Sequence, residues 1–121
     1  MTGAAAAGFR PLPAITRRAD FLAANRGVRI VTPGFILLVR PNGLGRIRAG
    51  FTVSRKLGGA VDRNRAKRRL RERARLVLRD HGVQGCDHVF IARPLEAERP
   101  FAALLADARA ALARAAGRVA A

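Results

Sequence analysis

Residues 51–79, FTVSRKLGGAVDRNRAKRRLRERARLVLR, decide the architecture of this chain. A strand-like run opens the stretch, a Gly58-Gly59 turn follows, and a helix-periodic segment completes it. At about 100° per residue, Ala66, Leu70, Ala74 and Val77 fall in one narrow sector, the apolar stripe by which a helix docks on a core. Asn64, Arg68, Arg71, Arg75 and Arg79 lie opposite; Arg65 and Arg69 flank one edge of the stripe and Lys67 the other. From Arg63 to Arg79 nine Lys or Arg residues face a single acid, Glu72. Pairing at i, i+4 cannot neutralise such a face, so an anionic partner is expected. Asp62 is placed as the N-cap, against the positive end of the helix dipole, and Gly82 as the stop.

Composition agrees with that expectation. The chain has 121 residues, half of them apolar, and a formal net charge of +16. That length fits one domain with a modest core, and the charge points to a polyanion. Of the 24 basic residues 22 are Arg and 2 are Lys, which suits bidentate phosphate contacts and stacking on bases. Cys86 is the only cysteine; it excludes an intrachain disulfide and a cysteine-based zinc site, and it reads as a small buried residue. Residues 1–11 read as a flexible N-terminal arm and residues 12–118 as a single domain. Met1 to Ala7 lack the basic and apolar regions of a signal peptide, so a cytoplasmic location is expected, away from membranes.

Around the central stretch, Thr16 to Gly27 reads as a short helix, capped by Thr16 and turning Ala19, Leu22 and Ala23 inward. Phe21 is offset from that side and has two readings, a core aromatic or an aromatic at the rim of a nucleic-acid groove. Val28 to Val31 and Phe35 to Arg40 read as strand, separated by a break or bulge at Thr32-Pro33-Gly34, and Pro41-Asn42-Gly43 reads as a turn. Between Arg46 and Ser54 the sequence alternates. Ile47, Ala49, Phe51 and Val53 share a buried face; Arg46, Arg48, Gly50, Thr52 and Ser54 share a basic or small one that suits binding. Asp87 to Arg93 reads as a strand ended by Pro94, and Phe101 to Arg118 as a last helix with Leu104, Leu105, Ala108, Ala111, Leu112 and Ala115 inward.

Self-sufficient catalysis finds little material here. The eight carboxylates are scattered, and no nucleophile, P-loop or metalloprotease pattern occurs. His81 and His88, with Asp80 and Asp87 beside them, suggest a metal less than they suggest solvated or capping groups. No catalytic residue and no protein-held metal is therefore expected. Phosphate binding remains, with an affinity that falls steeply as salt rises.

The order Phe51-Thr52-Val53-Ser54-Arg55-Lys56-Leu57-Gly58, then Ala60-Val61, then Arg63-Asn64-Arg65-Ala66-Lys67-Arg68 resembles the bacterial ribonuclease P protein family. The family hallmark is an Arg-Asn-Arg helix that follows a strand and a Gly-bearing loop. Ala19-Asp20-Phe21, Phe35 and Val89 to Arg93 extend the resemblance over roughly residues 12–116. It implies an α+β fold, a two-layer sandwich on a mostly antiparallel four-stranded sheet, with a left-handed βαβ crossover, like the second domain of ribosomal protein S5.

The resemblance further implies an accessory subunit of an RNA-based endonuclease that removes the 5′ leader from precursor tRNA. Arg63, Asn64, Arg65, Lys67, Arg68, Arg69 and Arg71 would then meet the catalytic RNA. Phe21, Phe35, Thr52, Ser54, Arg55 and Lys56 would lie along the single-stranded leader. Mg²⁺ would be held by RNA and substrate, and a monomer would join the RNA one to one. Family members often carry a second aromatic late in the first helix, where this chain has Ala24 and Asn25. Ile36-Leu37-Leu38 offers no tyrosine either, so charge is expected to carry more of the leader binding. The rivals are an architectural RNA-binding protein of ribosomal type and a DNA-binding module. The ordered Gly58 to Arg68 motif favours the first reading over both, and no DNA partner is expected.

Overall fold

The stretch that organises the sequence becomes a strand, a turn and a helix in a computed structural model that describes residues 13–120. The arm expected over residues 1–11 lies outside the described residues. In chain order the elements are α1 (Arg18–Ala24), β1 (Val28–Val31), β2 (Phe35–Pro41), β3 (Arg48–Val53), α2 (Ala60–His81), β4 (Cys86–Ala92) and α3 (Phe101–Ala120). A 3-10 turn, Pro94–Glu96, joins β4 to α3. Strand order is β1-β2-β4-β3, with antiparallel pairing except for the parallel pair β3 and β4, which α2 connects. This is the α+β fold expected, a four-stranded mostly antiparallel sheet with helices.

The break at Thr32-Pro33-Gly34 does not continue a strand but reverses it. Thr32 Oγ1 accepts from Phe35 N at 3.1 Å and donates to Phe35 O at 2.8 Å. These bonds close a hairpin between β1 and β2, so the first β region is two strands. Beyond β3, residues 13–15 pair along its free edge: Ile15 N donates to Ala49 O and Ala49 N to Pro13 O, each at 3.0 Å.

Alternation along the strands sorts the sheet into two faces. One carries Ile30, Phe35, Leu37, Val39, Ala49, Phe90 and Ala92 and is covered by α2 and α3. Phe90 lies between Phe35 and Phe51, with both ring centroids 5.4 Å away. Burying such a ring contributes roughly 1.5–3 kcal/mol. Helix α2 presents the expected Ala66, Leu70, Ala74 and Val77, and also Leu78. Because the stripe is rich in alanine, the helix backbone lies close to the sheet. On α3 Leu104, Ala108, Ala111, Leu112 and Ala115 are buried.

Two caps differ from the sequence expectation. Helix α2 begins at Ala60 with Gly59 as N-cap, so Asp62 stands in its first turn rather than capping it. Gly58 takes φ +31°, a left-handed conformation, with Asp62 Oδ2 2.8 Å from where a Cβ would be; glycine lets the chain enter the helix there. Gly82 does end the helix, but at φ −61°. Space is the reason: a Cβ would meet Leu78 O at 2.7 Å and Ile47 Cδ1 at 2.8 Å. Helix α1 likewise starts at Arg18, preceded by Arg17 without a side-chain cap, so Thr16 is not its cap. Its buried residue is Ala24, while Leu22, expected inward, is exposed.

Candidate nucleic-acid interface

The outward side of α2 carries Arg63, Asn64, Arg65, Lys67, Arg68 and Arg71, all exposed. Among the described residues the ion pairs use Arg48, Arg69, Arg73 and Arg99 and none of these outward cations. The face is therefore open to phosphate. Arg69 departs from the expected set: its Nε and Nη2 donate to Glu96 Oε1 at 3.1 and 2.7 Å. Its guanidinium is thus committed to a buried carboxylate, while the side chain stays 27% exposed.

The second surface is the sheet face away from α2 and α3. Register places Leu38, Val89 and Gly50 in one row and Ile36, Ile91 and Thr52 in the next. Helix α1 lies over the first row. Phe21 is half-buried there and packs with Leu38 and Val89, so the ring both packs the sheet and lines an open cleft. That cleft measures about 480 Å³, and Phe21, Leu38, Thr52, Val89 and Ile91 form its walls, with Arg18 and Lys67 also at its edge. A second hollow of about 390 Å³ shares Ile91 and adds Ser54, Lys56 and Arg93. Lys56 also borders a third hollow of about 300 Å³ with Arg65 at the start of α2. Groove and basic helix are thus contiguous through Lys56.

Phe35, expected along this groove, lies on the opposite face. It is 0% exposed and packs on Phe90, so no base can stack on it. Ser54 Oγ accepts from Lys56 N at 3.3 Å, which shapes the turn below the groove. Arg55 is exposed but borders none of the three hollows. Residues absent from the sequence reading of the groove are Arg18, Asn25, Leu38, Val89, Ile91 and Arg93. For Leu38, Val89 and Ile91 the signal was present: β2 and β4 are apolar on both faces, and a strand of that kind needs a cover on each side.

One end of the groove face is tied by charge. Asp87 Oδ1 and Oδ2 accept from Arg48 Nε and Nη2 at 2.8 and 2.7 Å, and Asn42 Nδ2 adds a bond at 2.9 Å. Arg48 Nη2 also lies 3.4 Å from Asp20 on α1, which clips that helix to β3. Burial raises the Asp87 pKa, but the Arg48 and Asn42 hydrogen bonds outweigh it and hold the carboxyl below its ordinary 3.8. Arg48 is correspondingly shifted upward, first by the Asp87 hydrogen bond.

His88 is neither solvated nor a capping group. Fully buried on β4, its Nε2 accepts from Val83 N at 2.9 Å while Nδ1 faces Arg48 O at 3.2 Å. The neutral tautomer protonated at Nδ1 satisfies both, and burial keeps the pKa below its ordinary 6.5. Both nitrogens serve the backbone, which leaves none for a metal. Cys86 is buried as expected, its thiol pKa raised by burial and then by Asp87. Nor are the carboxylates idle: Asp20, Asp87, Glu96 and Asp107 each meet an arginine.

Fold and surface together define a small, strongly basic protein of the α+β class, with a cationic helix beside a partly apolar groove. Comparison with known proteins makes this specific. The chain belongs to the ribonuclease P family, whose model, described as Ribonuclease P, matches residues 9–116. It is 50% identical over 105 residues to the ribonuclease P protein component of Erythrobacter litoralis, covering 85% of this chain and 86% of that one. Among solved structures it is similar to the Staphylococcus aureus RNase P protein, with a TM-score of 0.69, 27% identity and coverage of 87% of this chain and 96% of that one. The Thermotoga maritima RNase P protein gives a TM-score of 0.62 at 34% identity, covering 90% and 97%.

Proposed function

We propose that this chain binds the catalytic RNA of ribonuclease P through α2 and the 5′ leader of precursor tRNA through the sheet groove. In that role it assists the Mg²⁺-dependent endonucleolytic removal of the leader, and the RNA performs the chemistry. The observation that carries this reading is the contiguity, through Lys56, of an unpaired cationic helix face and an open groove. One surface suits a folded RNA backbone; the other suits a single strand, which needs positive charge and a stacking platform.

The refined contact sets follow. Arg63, Asn64, Arg65, Lys67, Arg68 and Arg71 meet the catalytic RNA, with Asn64 adding an amide that both donates and accepts. Phe21, Thr52, Ser54, Lys56 and the flanking Arg55 meet the leader, joined by Arg18 and Arg93. Among the described residues no three of His, Cys, Asp and Glu gather as metal ligands. We assign Mg²⁺ to RNA phosphates and substrate. The protein's contribution is to lower repulsion between two polyanions and to hold the leader. The working unit is one protein per RNA, in the cytoplasm; no helix among the described residues is long and apolar enough to cross a membrane.

The deciding experiment is cleavage of a precursor tRNA by ribonuclease P RNA at low Mg²⁺, with and without the protein. Stimulated cleavage at the mature 5′ end is expected. Folded, RNA-bound protein without stimulation would replace this reading by the architectural one.

A further inference from the structure

Glu96 is 0% exposed, and none of the RNA contacts above uses it. It sits in the 3-10 turn between β4 and α3 and faces two arginines of α2. Its Oε1 accepts from Arg69 Nε at 3.1 Å and Nη2 at 2.7 Å. Its Oε2 lies 3.6 Å from Arg73 Nη1, and both of these atoms are buried without a hydrogen-bond partner. Arg73 is held on its other side by Phe101, its Cζ 5.4 Å from the ring centroid. Arg69 and Arg73 are one helical turn apart, beside the apolar stripe of α2.

A buried ion pair is a poor way to add stability, since apolar residues of similar size dock a helix as well or better. What the carboxylate does differently is select which arginines remain on the surface. We propose that Glu96 is a positioning residue for RNA recognition: it withholds Arg69 and Arg73 from phosphate, so that α2 is read through its outward cations alone. Two further arginines swinging on long side chains would strengthen binding to any polyanion. Paired to Glu96, with side chains 27% and 22% exposed, they leave a fixed pattern of charges, which favours the RNA whose phosphates match it. The proposal rests on the RNA-binding reading above and deepens it.

The test measures binding of the full chain to ribonuclease P RNA and to a uridine homopolymer across a salt series. Each phosphate contact to a single strand contributes about 0.7 to the slope of log K against log salt. Glu96→Gln, shown folded by circular dichroism, is expected to steepen the homopolymer slope by about 0.7 per freed arginine and to narrow the preference for ribonuclease P RNA. Adding Arg69→Ala and Arg73→Ala to that variant should restore the wild-type slope. An unchanged slope in folded Glu96→Gln overturns the proposal and leaves Glu96 a structural ion pair. If Glu96→Gln does not fold, Arg69→Ala in the wild-type background decides. An unchanged slope supports withholding, whereas a slope shallower by about 0.7 shows that Arg69 already touches phosphate and overturns it. Wild-type protein whose RNA affinity ignores salt would defeat the RNA-binding reading itself, a result distinguishable from either.

Discussion

The Phe21 ring occupies the space that a side chain on Gly50 would need. A Cβ on Gly50 would lie 2.7 Å from Phe21 Cε1 and 2.8 Å from Cζ. The absence of a side chain on β3 therefore lets α1 settle onto the sheet and sets where the groove's aromatic stands. Gly50→Ala should cost about 1–3 kcal/mol through overpacking and should weaken precursor tRNA binding by moving the ring. Denaturation midpoints and precursor affinity check the two effects, and unchanged affinity in a destabilised variant would separate Phe21 from the leader.

Phe21 and Phe35 should respond oppositely to truncation. Phe21→Ala removes a groove wall and is expected to weaken precursor binding while leaving mature tRNA binding nearly unchanged. Phe35→Ala removes a core ring and should cost about 3–5 kcal/mol of stability, with no selective effect on the leader. Equal losses for precursor and mature tRNA in the Phe21 variant would withdraw it from the leader site.

On α2, Arg65→Ala and Arg68→Ala should each weaken assembly with ribonuclease P RNA and reduce the salt slope by about 1. The comparison residue is Arg109 on α3, exposed and outside the proposed interface. Arg109→Ala should leave both quantities unchanged; a uniform response across all three sites would reduce α2 to generic charge.

Asp87→Asn removes the main anionic partner of Arg48 and should cost about 1–3 kcal/mol, loosening α1 through the Arg48 link to Asp20. Because the folded pKa lies below the ordinary 3.8, the carboxylate's contribution is present above that pH and is lost as pH falls through the folded value. Acid unfolding of the wild type below pH 3.8 should therefore include a component that the Asn variant lacks.

His88 acts at milder acidity. Its folded pKa is below 6.5, so between the two values the unfolded chain binds the proton that the folded chain refuses. Stability should fall as pH drops below about 6.5. Urea midpoints of wild type and His88→Gln, in which an amide oxygen can accept from Val83 N, should converge on acidification. Identical pH slopes would show that His88 is not the titrating group.

Much of this architecture was legible because it depends on period and turn chemistry. The stripe Ala66, Leu70, Ala74, Val77 and the alternation around Phe51 are local patterns, and both located the core correctly. What escaped needed knowledge of neighbours. Phe35 is expected along the groove, and because β2 is apolar on both faces only its packing on Phe90 assigns it to the core. Arg69 looked like any other edge arginine until the fold brought Glu96 to it from 27 residues away. Arg48 and Asp87 are 39 apart, so the clip on α1 could not be read from either alone. Thr16 and Asp62 satisfied capping statistics, yet Arg17 and Gly59 hold those positions, neither with a side-chain cap hydrogen bond.

The strand order β1-β2-β4-β3 has a consequence for the growing chain. The strand synthesised last, residues 86–92, lies in the interior of the sheet and supplies every hydrogen bond between the β1–β2 hairpin and β3. Until it leaves the ribosome, the two halves of the sheet are separate and the arginine-rich α2 has no completed surface to dock on. A nascent chain ending before Cys86 would thus present a strongly cationic, unsupported segment beside ribosomal RNA. Folding of this small protein is non-local and must finish in its last third, which makes the C-terminal strand the lock of the sheet rather than an addition to it.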